Sequence, residues 1–594
     1  MTVDRSTTVS PTWFGPLGSE LLGVWTLPAG GRARGAVVLC PPLGKEAVHA
    51  YRTGALAAQE LAEQGVAALR LDYRGTGDST GDELAPDAVR RWHQDVVVAV
   101  AHAREVAGVG GVALAGLRAG ALLAGTAASR CGPLVGLALW DPVVTGRAYV
   151  REQTVLYRFK VGVDDPGGDG GVSLVGAVLH PDAAAELGRL SLATTAPADP
   201  ATPVLVAARP ERSGDAVLAA LAQRTHADQQ SVSGHEQVFD VATFEITLPG
   251  PSTAAVVGWL AARFPSAAHA VSLTPRECAV VGGEPAGGPV HERLVRLGPH
   301  RLFAVVTEPA GAGADTPLVV TLPSSTEHRV GTGRIWVDLA RRLAADGARV
   351  VRFDRRGTGD SGPVDPAERT APYGPTAHED LDTVLDALAR PARGTTLIGH
   401  CSGAWLAGEA AAEGRAAAVV LLGAARFQVG RQHQDLLLVD DPDRAELALT
   451  TRSGRARSAV KPLIPGPLWR WLGRRDLVHA PELVLARLRA AEVTTTLVLA
   501  PVDHAHFVAN RGVRAVDRMR RRGWTVELHA GATGDHALVH RGLRVYSLER
   551  AVWAVTRETT PVPSDPCPDS SAVGRCPAAG RPPAPRVSSR GDEP

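Results

Sequence analysis

The chain carries one long pattern twice. LRLDYRGTGDSTG begins at Leu69 and VRFDRRGTGDSGP begins at Val351, an offset of 282 positions. The likeness extends upstream, where LAAQELAEQGVAALRLD parallels WVDLARRLAADGARVVRFD, and downstream, where VALAGLRAGALLAG parallels TTLIGHCSGAWLAG. Solenoid units repeat every ~20–50 residues, so a period this long implies a duplicated domain. At ~100–200 residues per domain the 594-residue chain allows two large domains or three and more. The repeat favours two copies, 1–268 and 269–556, followed by a Pro/Ser/Arg-rich tail, 557–594, with no periodicity and the composition of a disordered segment.

Within the second copy, short apolar runs at 317–323, 348–354, 395–399, 417–424, 494–500 and 524–530 lack polar alternation. That pattern predicts strands buried on both faces of a parallel sheet. Between two of them, TAHEDLDTVLDALA places Leu381, Val384, Leu385 and Leu388 on one helical face, with Thr376 and Glu379 spaced as a capping box. Strands alternating with helices predict an α/β fold: in each copy a mostly parallel sheet flanked by helices.

Composition narrows the function. A formal net charge of +1 gives no global attraction to nucleic acid or an anionic membrane. No apolar run reaches the ~18–20 residues of a membrane span, and the start of the chain lacks a signal-peptide pattern. Six cysteines show neither metal-type pairing nor dense disulfide spacing. The expectation is a cytoplasmic protein with reduced thiols, no metal and no cofactor. Gly357, Gly359 and Gly362 fit GxGxxG after a strand, but the proline-rich continuation PVDPAERTAPYGP denies the helix start a dinucleotide would need, so a tight loop is expected.

The second-copy stretch GHCSG, Gly399–Gly403, has the form of a turn that presents a nucleophile between a strand and a helix. Such a turn is strained and needs small residues two before and two after its centre. Gly399 and Gly403 are centred on Cys401; a centre at Ser402 would put His400 where a small residue belongs. Cys401 is therefore the candidate nucleophile, and the backbone N–H of Ser402 a candidate oxyanion donor. The other reading of Cys401 is a small buried core cysteine. A second donor is expected from the loop LPSSTEHRVGTGR, at the N–H of Ser324 or Ser325. Arg329 and Arg334 in that loop are either substrate-anion ligands or solvated. Asp503, just past the run 494–500, is the candidate acid, and His536, in the loop past 524–530, the candidate base. His529, inside a strand, and His540, on the next helix, are weaker candidates.

At these residues the chain resembles the α/β-hydrolase superfamily, over nearly all of both copies. The second copy is similar to serine-aminopeptidase-like (S33-type) hydrolases and to exosortase-system-associated hydrolase type 1, through HRVGTGR, LARRLAADGARVVRFDRRGTGDS and GHCSGA. The first resembles exosortase-system-associated hydrolase type 2, through PPLGKEAVHAYR, RLDYRGTGDSTGD, GLRAGALLA and LWDPVVTGRAY. The superfamily spans esterases, thioesterases, peptidases, acyltransferases and lyases; dienelactone hydrolase is similar in having Cys, Asp and His. The resemblance implies an acyl hydrolase or acyltransferase acting on an ester or thioester through Cys401, His536 and Asp503. The competing class is a non-catalytic binding or scaffold protein.

The first copy departs from that pattern. Its turn is GLRAG with Arg118 at the centre, its late strand ends in Pro210-Glu211, and its last segment offers only His235. Arginine is neither nucleophile nor base, so this copy is expected to be silent. Arg118 is left to bind an anion or to pair with a carboxylate where the copies pack on each other. Residues 426–491 of the second copy resemble a cap over the site. Its basic residues Arg452, Arg455, Arg457, Lys461, Arg470, Arg474 and Arg475 either form a solvated face or receive an anionic partner, a carrier protein or a coenzyme A thioester. Trp469 and Trp471 are candidates for an apolar wall.

Overall fold

A computed structural model describes residues 7–557, except 109–110, 162–169, 196–198, 200, 235–247, 283–287, 325–326, 366–372, 429–460, 462–463 and 525. Met1–Val555 form one compact body; Thr556–Pro594 form a second unit, described only at its first two residues. Beyond Arg557 the tail lies outside the described residues, as do His235, Ser325, Arg452, Arg455 and Arg457.

Two large sheets make up the main body. The first contains β1 (Thr8–Phe14), β2 (Leu21–Leu27), β3 (Ala36–Cys40), β4 (Ala67–Leu71), β5 (Val112–Leu117), β6 (Gly136–Trp140), β7 (Val204–Ala208) and β8 (Asp228–Ser231), in the order β1-β2-β4-β3-β5-β6-β7-β8. The second contains β9 (Cys278–Gly282), β10 (Val290–Leu297), β11 (Leu302–Pro309), β12 (Leu318–Leu322), β13 (Arg349–Phe353), β14 (Thr395–His400), β15 (Ala418–Leu422), β16 (Thr494–Leu499) and β17 (Val526–Ala530). Its order is β9-β10-β11-β13-β12-β14-β15-β16-β17, which repeats the first sheet with one added edge strand. In both, the opening strands pair antiparallel and the rest run parallel. The fold is α/β throughout.

The strands lack polar alternation because both faces are covered. Val319, Ile398, Val420 and Val498 pack into one hydrophobic cluster; their chain neighbours Val320, Leu397, Leu421 and Leu497 pack into another on the opposite face. The first sheet divides the same way, with Val37, Ala113 and Leu205 on one side and Val38, Leu114 and Val206 on the other. Helix Pro375–Leu388 buries Leu381, Val384 and Leu385 against the second core. Its start differs from the capping-box expectation. Gly374 is the cap and no side chain caps it, while Glu379 pairs with Arg356. The proline at the first helical position, already fixed at a helical φ, sets the start two residues earlier than the box requires.

The duplicated RxDxRGTGDS pattern closes a loop after β4 and after β13. Asp354 Oδ2 accepts the N–H of Asp360 at 2.9 Å, and Ser361 Oγ donates to the Asp354 carbonyl at 2.7 Å. Asp72, Asp78 and Ser79 repeat both bonds at the same lengths. Gly359 and Gly77 sit at positive φ, where an added Cβ would come within 2.1 Å of the Asp354 or Asp72 carboxylate. These glycines serve loop closure.

The two loops meet across the body in a nearly two-fold arrangement. Arg70 pairs with Asp360 at 2.5 Å, and its repeat counterpart Arg352 pairs with Asp78. Arg52 donates to the carbonyls of Gly359, Gly362 and Pro363; its counterpart Arg334 donates to those of Gly77, Ser79 and Gly81. Arg329 breaks the symmetry. Fully buried, it lies 2.8 Å from Asp78, 2.6 Å from Asp354 and 3.1 Å from Asp360. Burial alone would raise Asp78; Arg329 and Arg352 outweigh that and hold it below the ordinary carboxylate range. The substrate-anion reading of Arg329 and Arg334 is thereby corrected. Arg334 is consumed by carbonyls of the other repeat, and Arg329 by Asp78 of the other repeat together with Asp354 and Asp360 of its own.

Candidate active site

In an open α/β sheet, a site forms where the strand order reverses, beyond the carboxyl ends of the strands. Here the chain runs from β12 outward to β13 and returns to β14 on the other side of β12. The loop after β12 and the turn after β14 therefore face each other, and they carry Ser324 and Cys401.

Cys401 stands between β14 and helix Ser402–Ala412 with φ 53° and ψ −114°. A non-glycine residue holds such a conformation only where its surroundings enforce it. The flanking glycines are required by close approach. A Cβ on Gly399 would lie 2.1 Å from the Gly403 carbonyl oxygen, and one on Gly403 would lie 2.1 Å from that of Leu322. Ser402 opens the helix, so its N–H sits at the positive end of the helix dipole beside Cys401. Arg118 in the first copy holds nearly the same backbone, φ 55° and ψ −118°, at the start of helix Ala119–Ala127. The turn persists there without a nucleophile.

Asp503 lies in the first turn of helix Pro501–Ala509, directly after β16, and is buried. Its Oδ1 accepts from His536 Nδ1 at 2.7 Å. His536 is buried in the loop between β17 and helix Arg541–Thr556. Its Nε2 is buried with no hydrogen-bond partner among the described residues, and Cys401 is one of the charges that act on the ring. The structure thus brings Cys401, His536 and Asp503 together. His529 stands edge-on to Trp553 within β17, and Asp535 accepts from the N–H of His540.

Electrostatics separate Cys401 from the other cysteines. Burial pushes the Cys40 thiol up to about 12 and Cys131 up to about 11. Burial would raise Cys401 too, but the His536 charge outweighs it, and the neighbouring Ser324 side chain adds to the lowering. His536 answers in kind: desolvation opposes its charge, yet Asp503 and Cys401 hold its pKa well above the ordinary histidine value. Both shifts act in the direction of a thiolate–imidazolium pair. Cys401 is also partly exposed, whereas Cys40 and Cys131 are buried. A reactive cysteine needs both features.

Two contributors escaped the sequence reading. Ser324 was read for its N–H; in the structure its side chain also helps to hold the Cys401 thiol low. His400, which sequence reasoning treated only as bulk, donates from Nε2 to the His536 carbonyl at 2.8 Å. Burial holds His400 down to about 4, so it is neutral and its bond steadies the His536 backbone.

Arg118 does not sit at the contact between the copies. It is buried among first-copy carboxylates, 3.1 Å from Glu46 and 3.0 Å from Glu152, with Asp141 at 3.9 Å. Its anion site is already filled by the protein. Of the cap, 426–428, 461 and 464–491 are described. Trp469 is buried beneath Arg511, and Trp471 is half exposed with Arg475 over its ring. Among the described residues no group of three or more His, Cys, Asp or Glu is placed to hold a metal, and no helix is long and apolar enough to cross a membrane.

Trapping Cys401 with iodoacetamide tests the ion pair. Peptide-resolved alkylation should stay fast from pH 6 to 8, below the ordinary thiol pKa of ~8.5. In His536→Ala the burial penalty remains and its counter-charge is gone. The rate at pH 7 should then fall at least roughly tenfold and climb with pH. A wild-type rate that climbs tenfold per pH unit through this range would show an ordinary thiol.

Comparison with known proteins gives the following. Residues 319–559 match the model of the alpha/beta hydrolase family, and residues 31–162 match that of serine aminopeptidase, S33. No curated protein matches the chain. Solved structures similar to it include a dienelactone hydrolase from Anabaena variabilis, at 15% identity over 45% of this chain and 97% of that one, TM-score 0.29. They also include a puromycin-hydrolyzing peptidase of Mycobacterium tuberculosis, at 18% identity over 48% and 41%, TM-score 0.31. A third is Est1E from Butyrivibrio proteoclasticus, at 16% identity over 43% and 98%, TM-score 0.31. With one family match in each repeat and the same strand order in both sheets, the chain belongs to the α/β-hydrolase superfamily as a tandem protein.

Proposed function

We propose that the protein is an acyl hydrolase or acyltransferase with one live site, in the second copy (269–556), and a silent first copy (1–268). The observation that carries this reading is the Cys401–His536–Asp503 alignment at a strained turn, with the thiol held below its ordinary pKa.

The Cys401 thiolate attacks the carbonyl carbon of an ester or thioester, forming a C–S bond while the carbonyl electron pair moves to oxygen. The Ser402 N–H and the Ser324 side of the β12 loop are suited to that oxyanion. Collapse breaks the bond to the leaving alcohol or thiol, which takes the proton from His536 Nε2. The acyl-enzyme is itself a thioester. His536, now neutral, removes a proton from water, or from an alcohol or amine acceptor, which attacks the acyl carbon and restores the thiolate. Asp503 orients the imidazole throughout. A carrier protein or coenzyme A fits the thioester side of this chemistry. Arg470, Arg474 and Arg475, on and just past helix Gly466–Arg474, are among the described basic residues of the cap that such a partner would meet.

A panel of p-nitrophenyl esters and acyl-coenzyme A thioesters tests the assignment. Turnover should survive Arg118→Ala and be lost in Cys401→Ala. The reverse pattern would move the chemistry to the first copy and overturn the proposal.

A further inference from the structure

The first copy reaches the loop that carries His536 in the second. That loop runs from β17 to helix Arg541–Thr556. Leu538, at φ 55°, packs into a second-copy cluster with Ile335 and Leu543. Its neighbours Ala537 and Val539 pack instead with Leu156, Tyr157, Val161 and Val175, all of the first copy. Tyr157, Val175 and Val539 are each buried. At the end of the loop the Arg541 N–H donates to Tyr157 Oη at 3.3 Å. Asp535 ties the loop to itself, accepting the N–H of Val539 at 3.3 Å and that of His540 at 2.7 Å. A shift at Val539 is therefore passed along the loop, with His536 inside it.

Tyr157 is itself firmly placed. It lies on helix Gly146–Val161, where Gln153, one turn earlier, is buried and donates to Glu46 Oε1 at 3.1 Å. Its neighbour Val175 accepts the Lys45 N–H at its carbonyl at 2.9 Å. A functional side chain is held only as well as the groups that support it. Asp503 and His400 hold the ring and the carbonyl of His536; residues just past it rest on the first copy.

We infer that Tyr157 of the first copy is a positioning residue for the second-copy site: it holds the loop that presents the His536 imidazole to Cys401. The copy without a nucleophile thereby becomes a structural part of the live site. The inference rests on the reading of His536 as the base and extends it. A misplacement of about 1 Å can cost about 100-fold in rate, so a packing contact at the loop has a large lever on the chemistry.

Three full-length variants test this: Tyr157→Ala, Tyr157→Phe and, as a measure of general destabilisation, Leu221→Ala in a different first-copy cluster. In Tyr157→Ala, amide hydrogen exchange over 535–541 should quicken at least roughly tenfold. Cys401 alkylation at pH 7 should slow about tenfold, and turnover of the ester panel should fall about 100-fold, mainly in kcat. Tyr157→Phe keeps the packing and loses one acceptor, so it should restore all three to within about fivefold of wild type. Leu221→Ala should lower the urea midpoint and leave all three at wild-type values. If Tyr157→Ala is poorly folded, Val539→Ala opens the same contact from the other side, with the same expected result. Unchanged exchange over 535–541 in Tyr157→Ala would overturn the inference, and so would quickened exchange with alkylation and turnover at wild-type rates. Failure of the acyl reading is distinct: there the wild type itself neither turns over nor traps iodoacetamide, and the positioning role falls with it even where loop exchange follows Tyr157.

Discussion

Asp503→Asn should lower kcat by on the order of 10³–10⁴-fold, as loss of the orienting acid does in other triads, while the protein stays folded. The only side-chain hydrogen bond of Asp503 among the described residues is the one that Oδ1 accepts from His536 Nδ1, and Oδ2 has none. The substitution therefore removes one interaction. It changes the chemistry because an amide can donate to Nδ1 and so favour the tautomer with its proton on Nε2. That imidazole cannot accept a proton from water, and it no longer carries the charge that holds the Cys401 thiol low. Two measurements should move together: turnover falls, and Cys401 alkylation at neutral pH slows. A variant that loses turnover yet alkylates like wild type would indicate that Asp503 acts on substrate rather than through His536.

Arg329→Met should destabilise the main body by about 3–5 kcal/mol, the usual cost of removing one partner from a buried ion pair. Three carboxylates within 3.1 Å, those of Asp78, Asp354 and Asp360, share this guanidinium, and all four side chains are fully buried. Arg352 and Arg70 still serve Asp78 and Asp360, but Asp354 has no other arginine within ion-pair distance among the described residues. Urea unfolding at pH 7 measures the effect. Its pH dependence has a definite sign. Asp78 and Asp360 are lowered in the wild type, so their contribution is present above ~pH 4 and lost as pH falls further. In the variant the stranded carboxylates favour protonation, so the deficit should narrow below ~pH 4. A deficit that is small at pH 7, or that widens in acid, would mean that the arginine stabilises by packing alone.

Periodicity and duplication made the fold legible in the chain. Unbroken apolar runs read as strands because alternate residues such as Val319 and Val320 enter separate cores on opposite faces. The two glycines around Cys401 fixed the centre of the turn, since only one residue fits between two close backbone approaches. What was not legible depends on the meeting of segments far apart in sequence. Arg329 and Arg334 look like loop cations until the loop of the other repeat is brought against them. Arg118 looks like a free cation until Glu46 and Glu152 close on it. His400 reads as an awkward neighbour of the nucleophile, and only the arrival of the His536 loop gives its nitrogen an acceptor. No sequence pattern announces such contacts.

The central claim is that Cys401 forms the covalent intermediate. Intact-mass measurement of the full-length protein, quenched in acid during turnover of the ester and thioester panel and then mapped by peptide, addresses it directly. The account predicts an acyl adduct on Cys401 that is absent from Cys401→Ala. Turnover that continues in Cys401→Ala would contradict it, and so would a wild type that neither acquires an adduct nor turns over and whose Cys401 ignores iodoacetamide.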